Sequence, residues 1–218
     1  MVQPSSRETA RRFRQTFGLD DSDEAMDYAA TFDQISNGHG VPLNPEELAD
    51  LDERSRQQDE QGPFAEVAAS LSEVLGGVWK DQRRRGEYVI MALPSLSATE
   101  LGRLIAALPS GARYRVESAT VSEATMRAWV IRLTRSLMLK TDRNDLTERI
   151  EQLGLEVSTI QPDVPVNRLV VYLTRSPSQP DLDDAWDYAV EEGEAPPRTY
   201  TTFDVRPKAQ PRTISSGT

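Results

Sequence analysis

The chain lacks cysteine altogether and has a single histidine, His39, among its 218 residues. The absence of thiols excludes disulfide bonds, thiolate metal sites and cysteine nucleophiles. A Ser-His-Asp triad or a zinc site would have to use His39, which lies in the glycine-flanked stretch Ser36–Gly40, and the sequence has no Gly-x-Ser-x-Gly element. We therefore predict that the chain is not an enzyme and expect neither a metal nor another cofactor.

Phosphate loops and long apolar runs are missing as well. No Gly-x-Gly-x-x-Gly or Gly-x-x-x-x-Gly-Lys pattern occurs, so the sequence predicts no nucleotide site of those types. No run approaches ~18 apolar residues, the length that a membrane-spanning helix requires. The polar residues 1–15 contain no hydrophobic core of a signal peptide. We expect no membrane partner, a secreted location if a signal peptide precedes this sequence, and a cytoplasmic location otherwise.

Positive charge is also scarce, because the formal net charge is −10 at pH 7. An acidic chain is repelled by the phosphates of nucleic acid, so we expect no nucleic-acid partner. The acidic excess lies in residues 1–62, which hold 14 Asp and Glu against 6 Lys and Arg. The cationic run Arg83–Arg85 is interpreted as the solvated tip of a hairpin. The acidic stretch Asp181–Asp187 is interpreted as a helix N-terminus, where the helix dipole favours negative charge.

What the sequence does contain is a repeated plan of strand, helix and strand. In the first copy the apolar run Glu87–Leu93 is followed by an amphipathic helix and then by the alternating run Arg113–Ser118. In the second copy Asn167–Leu173 precedes a helix at Asp181–Glu191 and the run Tyr200–Val205. Two such units predict two small sheets, each covered by a helix on one face.

Helix signals fill most of the remaining chain. Three capping-box patterns predict helix N-termini, at Asn44–Glu47, Ser97–Glu100 and Thr120–Glu123. An apolar stripe from Phe64 to Leu75 predicts a further helix, ended by the two glycines that follow it. The intervening residues Glu53–Gly62 include no apolar side chain, and we interpret them as a solvated helix end and a hinge.

The fold class that follows is α+β, with a helical N-terminal segment followed by two small strand–helix–strand units whose antiparallel or mixed sheets are each covered by helices. Short strands at Gly77–Gln82 and Leu155–Ile160 are expected to precede the two units, and the second should pair with Leu169–Leu173. We predict four segments: an acidic helical segment at 1–62, a first α/β unit at 63–140, a second at 141–206 and a flexible tail at 207–218.

Four stretches are informative in their order along the chain: Phe13–Leu19, Gly40–Arg54, Leu75–Gln82 leading into Tyr88–Ala92, and Asp163–Tyr172. In this order they resemble the pro-region of actinobacterial chymotrypsin-like serine proteases, of the alpha-lytic protease and streptogrisin type. The resemblance covers most of residues 13–206. The sequence departs from that family in having no protease domain, and in an acidic, proline-rich loop before the last strand.

The resemblance implies a chain that assists the folding of such a protease, in cis or in trans, and then inhibits it. In that family the C-terminal sheet of the pro-region pairs with a hairpin of the protease, and the tail lies in the substrate cleft. Thr218 is small, as a residue at a processing site of such a protease would be. The partner-binding residues implied here are Tyr200, Thr202, Asp204, Arg206, Arg212, Thr213, Ile214, Ser215, Ser216 and Thr218.

An alternative function stays open from the sequence. The chain could be a stand-alone cytoplasmic α/β domain that binds a protein and has no protease client. A signal peptide upstream and a trypsin-like domain downstream in the gene would favour the pro-region. A stop codon after Thr218, with no signal peptide, would favour the interaction domain.

Overall fold

The computed structural model describes residues 7–32, 38–175 and 178–205. Within these ranges the chain forms eight α-helices and two three-stranded sheets, which confirms the predicted α+β class. The helices are α1 (Arg7–Phe17), α2 (Asp23–Ala29), α3 (Pro45–Asp59), α4 (Gly62–Ser70), α5 (Ala98–Ala106), α6 (Glu123–Leu133), α7 (Asp145–Gln152) and α8 (Gln179–Glu191). The strands are β1 (Leu75–Asp81), β2 (Glu87–Ala92), β3 (Tyr114–Ser118), β4 (Val157–Asp163), β5 (Arg168–Leu173) and β6 (Thr201–Val205).

The two sheets have the same topology. In each, the first two strands form an antiparallel hairpin and the third strand pairs in parallel with the second, giving the orders β1-β2-β3 and β4-β5-β6. A helix connects the second and third strands, α5 in one sheet and α8 in the other, and another helix precedes the first strand, α4 or α7. The predicted repeat is therefore confirmed, and it extends to a helix and a strand ahead of each strand–helix–strand unit.

The two hairpins also agree in local geometry. The pairing register shifts near the start of both β1 and β4. A 3₁₀ turn then joins the two strands and ends at a residue in the left-handed conformation, Arg85 (φ 55°) in the first hairpin and Asn167 (φ 51°) in the second. Arg83, Arg84 and Arg85 are all exposed at the first of these turns, which confirms the prediction of a solvated hairpin tip.

The chain divides into two compact units, Met1–Ala119 and Thr120–Thr218. This single division falls after residue 119, whereas the sequence analysis placed segment boundaries after residues 62 and 140. Helix α1 contacts the tip of the β1–β2 hairpin, so the N-terminal helices belong to the first unit. Helix α6 packs on β4 and β5 and belongs to the second. The predicted tail, 207–218, lies outside the described residues.

Each unit has its own hydrophobic core. In the first unit, helices α4 and α5 cover one face of the sheet, and the buried side chains there are Phe64, Ala68, Leu71, Leu75, Tyr88, Ile90 and Leu104. A smaller cluster joins α1, the following loops and α3, formed by Ala10, Leu19, Val41, Leu43 and Leu51. In the second unit the core includes Met126, Leu133, Leu146, Ile150, Leu169, Val171, Leu173, Leu182 and Trp186. No helix in the described part of the chain is long and apolar enough to cross a membrane.

The prediction of a solvated helix end and hinge at Glu53–Gly62 was right in part, because a helix ends there and most of these residues are exposed, but two of them are buried and the division between the compact units falls elsewhere. Helix α3 continues to Asp59, and both Arg54 and Gln57 are buried. Arg54 donates to the Phe17 carbonyl at 2.7 Å, and the backbone carbonyl of Gln57 accepts from the Tyr88 hydroxyl at 3.3 Å. Polar side chains with long stems can be buried when the chain around them supplies hydrogen-bond partners. Here Arg54 has a partner on α1 as well as Asp50 of its own helix, and the Gln57 side chain donates to Glu53 of the same helix at 2.9 Å.

Two predicted helix limits were also wrong. The helix that begins near Phe64 ends at Ser70, and Leu75 lies in β1 because its apolar side chain fits the sheet as well as the helical stripe. The cap of α6 is Ser122, whose side chain accepts from the Thr125 amide, rather than Thr120. The Thr120 amide and hydroxyl instead donate to the side chain of Asn167. The capping boxes predicted at Asn44 and Ser97 are both present.

Candidate functional site

The last strand, β6, is fixed from its inner side by helix α8. Trp186 in α8 is fully buried. Its ring meets Phe203 of β6 edge-to-face, with ring centroids 4.8 Å apart, and its indole N–H donates to the Pro196 carbonyl at 3.0 Å. A buried aromatic pair whose polar N–H is satisfied is a stable anchor. Strand β6 is therefore held in position before any partner arrives.

The turn that leads into β6 carries two further aromatic contacts. The guanidinium of Arg198 lies 4.6 Å from the centroid of the Phe203 ring and is ion-paired with Asp183. Tyr200 belongs to this 3₁₀ turn, and its ring stacks on Trp129 with centroids 6.1 Å apart. The sequence analysis placed Tyr200 at the start of the last strand and, like Thr202, among the partner-binding residues. It lies before the strand because the stacking on Trp129 draws its side chain toward the core of the second unit.

The outward side of β6 is polar and exposed. Thr201 is buried, Thr202 and Asp204 are exposed, and Val205 at the end of the strand is 37% exposed. Among the described residues β6 pairs only with β5. Alternate residues of an edge strand direct their N–H and C=O groups away from the sheet, where they can pair with another chain. Thr202 and Asp204 therefore lie on a strand that can accept a further strand.

The opposite edge of the same sheet is less open. Helix α6 and the π-helical turn that follows it, Thr134–Met138, both pack on β4. Strand β4 also contains Pro162, which has no N–H to donate. Proline and a covering helix are two of the ways in which proteins protect sheet edges. Strand β6 has no proline and is the more accessible edge of this sheet.

Two of the predicted partner-binding residues lie on β6 itself. Thr202 and Asp204 come together on the strand, whereas the remaining predicted contacts lie outside the described residues: Arg206, Arg212, Thr213, Ile214, Ser215, Ser216 and Thr218. The chain leads directly from Val205 into this segment. Residues 206–218 hold three basic side chains and no acidic one.

Asn167 is a residue whose role the sequence interpretation missed. Its side-chain oxygen accepts from the amides of Thr120 and Val121 at 2.9 and 2.8 Å, and its side-chain nitrogen donates to the Val121 carbonyl at 2.8 Å. These bonds tie the β4–β5 turn to the start of the second unit. A signal was present, because an asparagine between two strands is favoured in the left-handed conformation that this turn needs.

His39 is placed in the first unit, where its ring lies against Phe13 with centroids 5.8 Å apart. It helps to line a cleft of about 300 Å³ together with Phe17, Leu51 and Arg54. Within residues 7–32, 38–175 and 178–205, no group of three or more histidine or carboxylate side chains could hold a metal ion. The β6 edge is a surface whose geometry suits strand addition.

Comparison with known protein families gives no matching family model, and comparison with curated proteins gives no match. The features of the chain that bear on its function are the anchored strand β6, its exposed outward residues and the sequence patterns that accompany them.

Proposed function

We propose that this chain is a non-catalytic, pro-region-like domain that binds a chymotrypsin-like serine protease, assists its folding and inhibits it. The observation that supports this proposal most directly is the edge position of β6. The strand is paired on one side by β5 and anchored by Trp186, and its other side has no strand partner in the described part of the chain. This matches the contact that the sequence resemblance implies.

Strand addition explains how such a surface can bind. Backbone hydrogen bonds supply affinity without requiring particular side chains, and the residues on either face adjust specificity. An anchored strand loses little conformational entropy on binding, because its backbone is already ordered. The client's strand would lie beside Thr202 and Asp204 on one face and beside Phe203 and Val205 on the other.

The same surface can act during folding. A protease built from long-range strand pairings folds slowly, because distant segments must meet before their contacts form. A partner that binds the transition state more tightly than the unfolded chain lowers that barrier. Binding to the native protease then gives inhibition. One surface therefore accounts for both activities.

The inhibition test uses purified chain and a protease of the alpha-lytic type. Asp204→Lys places a positive charge on the edge strand, and Asp184→Lys makes the same change at an exposed position in α8. We expect Asp204→Lys to weaken inhibition at least tenfold and Asp184→Lys to change it less than twofold. Equal effects of the two variants would place the contact elsewhere than β6.

The role of the C-terminal segment is tested with a version of the chain that ends at Arg206. If residues 207–218 enter the substrate cleft, this truncation should raise the inhibition constant at least tenfold. An unchanged constant would show that they do not contribute.

Refolding of the denatured protease, with and without the chain, measures the folding activity. If the chain neither inhibits nor refolds any protease of this class, the proposal is wrong, and a stand-alone interaction domain becomes the better description.

A further inference from the structure

The first sheet also ends in an edge strand, and the apolar side chains of that strand are more exposed than those of β6. Strand β3 pairs only with β2 within the described residues. In the pairing of β3 with β2, Val116 lies opposite Ile90. Phe203 holds the equivalent position in the second sheet, where it lies opposite Val171. Phe203 is partly covered, whereas Tyr114 is 43% exposed and Val116 is 42% exposed.

The difference in exposure follows from the connecting helices. Helix α8 has 13 residues and places Trp186 against Phe203, whereas α5 has nine residues. The Tyr114 and Val116 side chains lie on the face that the helices cover, because they pair with the core residues Tyr88 and Ile90. The face of the first sheet that α4 and α5 cover over β2 is therefore exposed to solvent at β3.

The sequence of β3 and the residue before it is self-complementary in the antiparallel direction. If a second copy pairs with β3 about a two-fold axis through Arg115, each Tyr114 lies opposite the Val116 of the second copy. Each Arg113 then lies opposite Glu117 of the second copy. Aromatic with β-branched and opposite-charge pairs are the cross-strand pairs that stabilise antiparallel strands. Because the two-fold axis is perpendicular to the sheet, the apolar faces of the two copies lie on the same side of the joined sheet. They form one continuous apolar surface.

The central Arg115 does not oppose this pairing. Its guanidinium is ion-paired with Asp81 at 3.0 Å, Glu87 at 2.5 Å and Glu117 at 2.6 Å. Each Arg115 is therefore paired within its own copy, and the two side chains do not meet across the axis as unpaired cations. Shifting the axis to Tyr114 would instead place Arg113 opposite Arg115, and like charges directly opposite are destabilising.

From this self-complementarity we infer that β3 is a homodimerisation edge, through which two copies of the chain form one continuous six-stranded sheet. The contact has about five residues on each side, so the dimer is weak, with a dissociation constant of roughly 100 µM. This inference does not rest on the proposed function, because it involves the first unit and is tested with the chain alone.

Sedimentation equilibrium of the full chain across 10 µM to 1 mM tests the inference, and these concentrations bracket the expected constant of about 100 µM. We expect reversible dimerisation that Val116→Lys weakens at least tenfold. Val166→Lys is the matched control, since Val166 is 56% exposed and belongs to the second unit. It should change the constant less than twofold. A chain that stays monomeric to 1 mM, or a dimer that Val116→Lys does not affect, would overturn the inference.

The register can be tested separately, because the chain has no native cysteine to interfere. Tyr114→Cys and Val116→Cys replace two exposed side chains. Mixed under oxidising conditions, they should form the mixed disulfide more readily than either variant forms a disulfide with itself. Preferential self-linking of Val116→Cys would contradict an axis at Arg115.

Discussion

At the scale of single residues, the most buried charge in the described part of the chain links N-terminal elements. Arg14 in α1 is fully buried, and its guanidinium binds both carboxylate oxygens of Glu47, at 2.6 and 2.8 Å. It also donates to the carbonyls of Asp20 and Pro42. Glu47 in turn accepts from the Asn44 amide and so completes the capping box of α3. One arginine thus links α1, two loops and the start of α3.

Removing this arginine should strongly destabilise the first unit. We expect Arg14→Met to lower the free energy of unfolding by about 3–5 kcal/mol, because it leaves the Glu47 carboxylate largely buried without its partner. The control is Arg12→Met, whose side chain is 77% exposed and pairs with Glu8. That variant should lose no more than about 0.5 kcal/mol. Urea denaturation measures both, and similar losses would argue against a special role for Arg14.

The duplicated hairpins offer a second comparison at residue scale. Asn167 and Arg85 occupy equivalent left-handed positions, but only Asn167 is buried and bonded to the start of its unit. We expect Asn167→Ala to cost about 3 kcal/mol, since two backbone amides lose their acceptor. Arg85→Ala should cost less than about 1 kcal/mol, because the Arg85 side chain is exposed and arginine and alanine carry the same penalty for a positive φ. A thermal unfolding series with both variants tests this difference.

At the scale of secondary-structure elements, helix α3 carries a pH-sensitive interaction. Arg56 binds both oxygens of Glu53, at 2.6 and 2.8 Å, and Gln57 donates to the same carboxylate at 2.9 Å. Mainly through the hydrogen bonds from Arg56, the pKa of Glu53 falls from its ordinary 4.5 to about 2. The folded pKa is below the unfolded one. The stabilisation that the Glu53–Arg56 pair gives to the folded chain is therefore present above pH 4.5 and is lost as the pH falls toward 2.

The pKa of Glu53 can be measured directly. In an NMR titration of side-chain carboxyl resonances, we expect the Glu53 carboxyl to protonate near pH 2, well below its ordinary pKa of 4.5. Arg56→Gln should return its pKa toward that ordinary value, because the charged bidentate partner is removed. Arg11→Gln is the control, since Arg11 pairs with Asp23 instead. A Glu53 pKa that does not respond to Arg56→Gln would contradict this explanation.

At the scale of the whole molecule, the chain is two units with separate cores. Val171 is fully buried in the second core and Ile90 in the first. We expect Val171→Asp to remove hydrogen-exchange protection from β4 and β5 while β1 and β2 keep theirs, because a buried unpaired charge unfolds the core that contains it. Ile90→Asp should give the reverse pattern. Loss of protection in both units with either variant would show that they unfold together.

Local features of this protein were predictable because neighbouring residues determine them. The capping boxes at Asn44 and Ser97, and the strand runs in both copies, were predicted correctly from short patterns. The end of the helix that starts near Phe64 was not predicted correctly, because Leu75 suits a helical stripe and a strand equally well. The run Tyr200–Val205 predicted the last strand, but its start was misplaced, because Tyr200 belongs to the turn before β6 and stacks on Trp129, which is distant in sequence.

The sequence by itself determined the α+β class, the repeated strand–helix–strand plan and the helix starts at Asn44 and Ser97, since these depend on periodicity and on caps within a few residues. Only the tertiary structure decided that Arg14, Arg54 and Asn167 are buried, because their partners lie on other elements. It also decided which sheet edges are open. Equivalent strands β3 and β6 differ in exposure because helices of unequal length pack over them, and packing across a sheet depends on residues far apart in the chain.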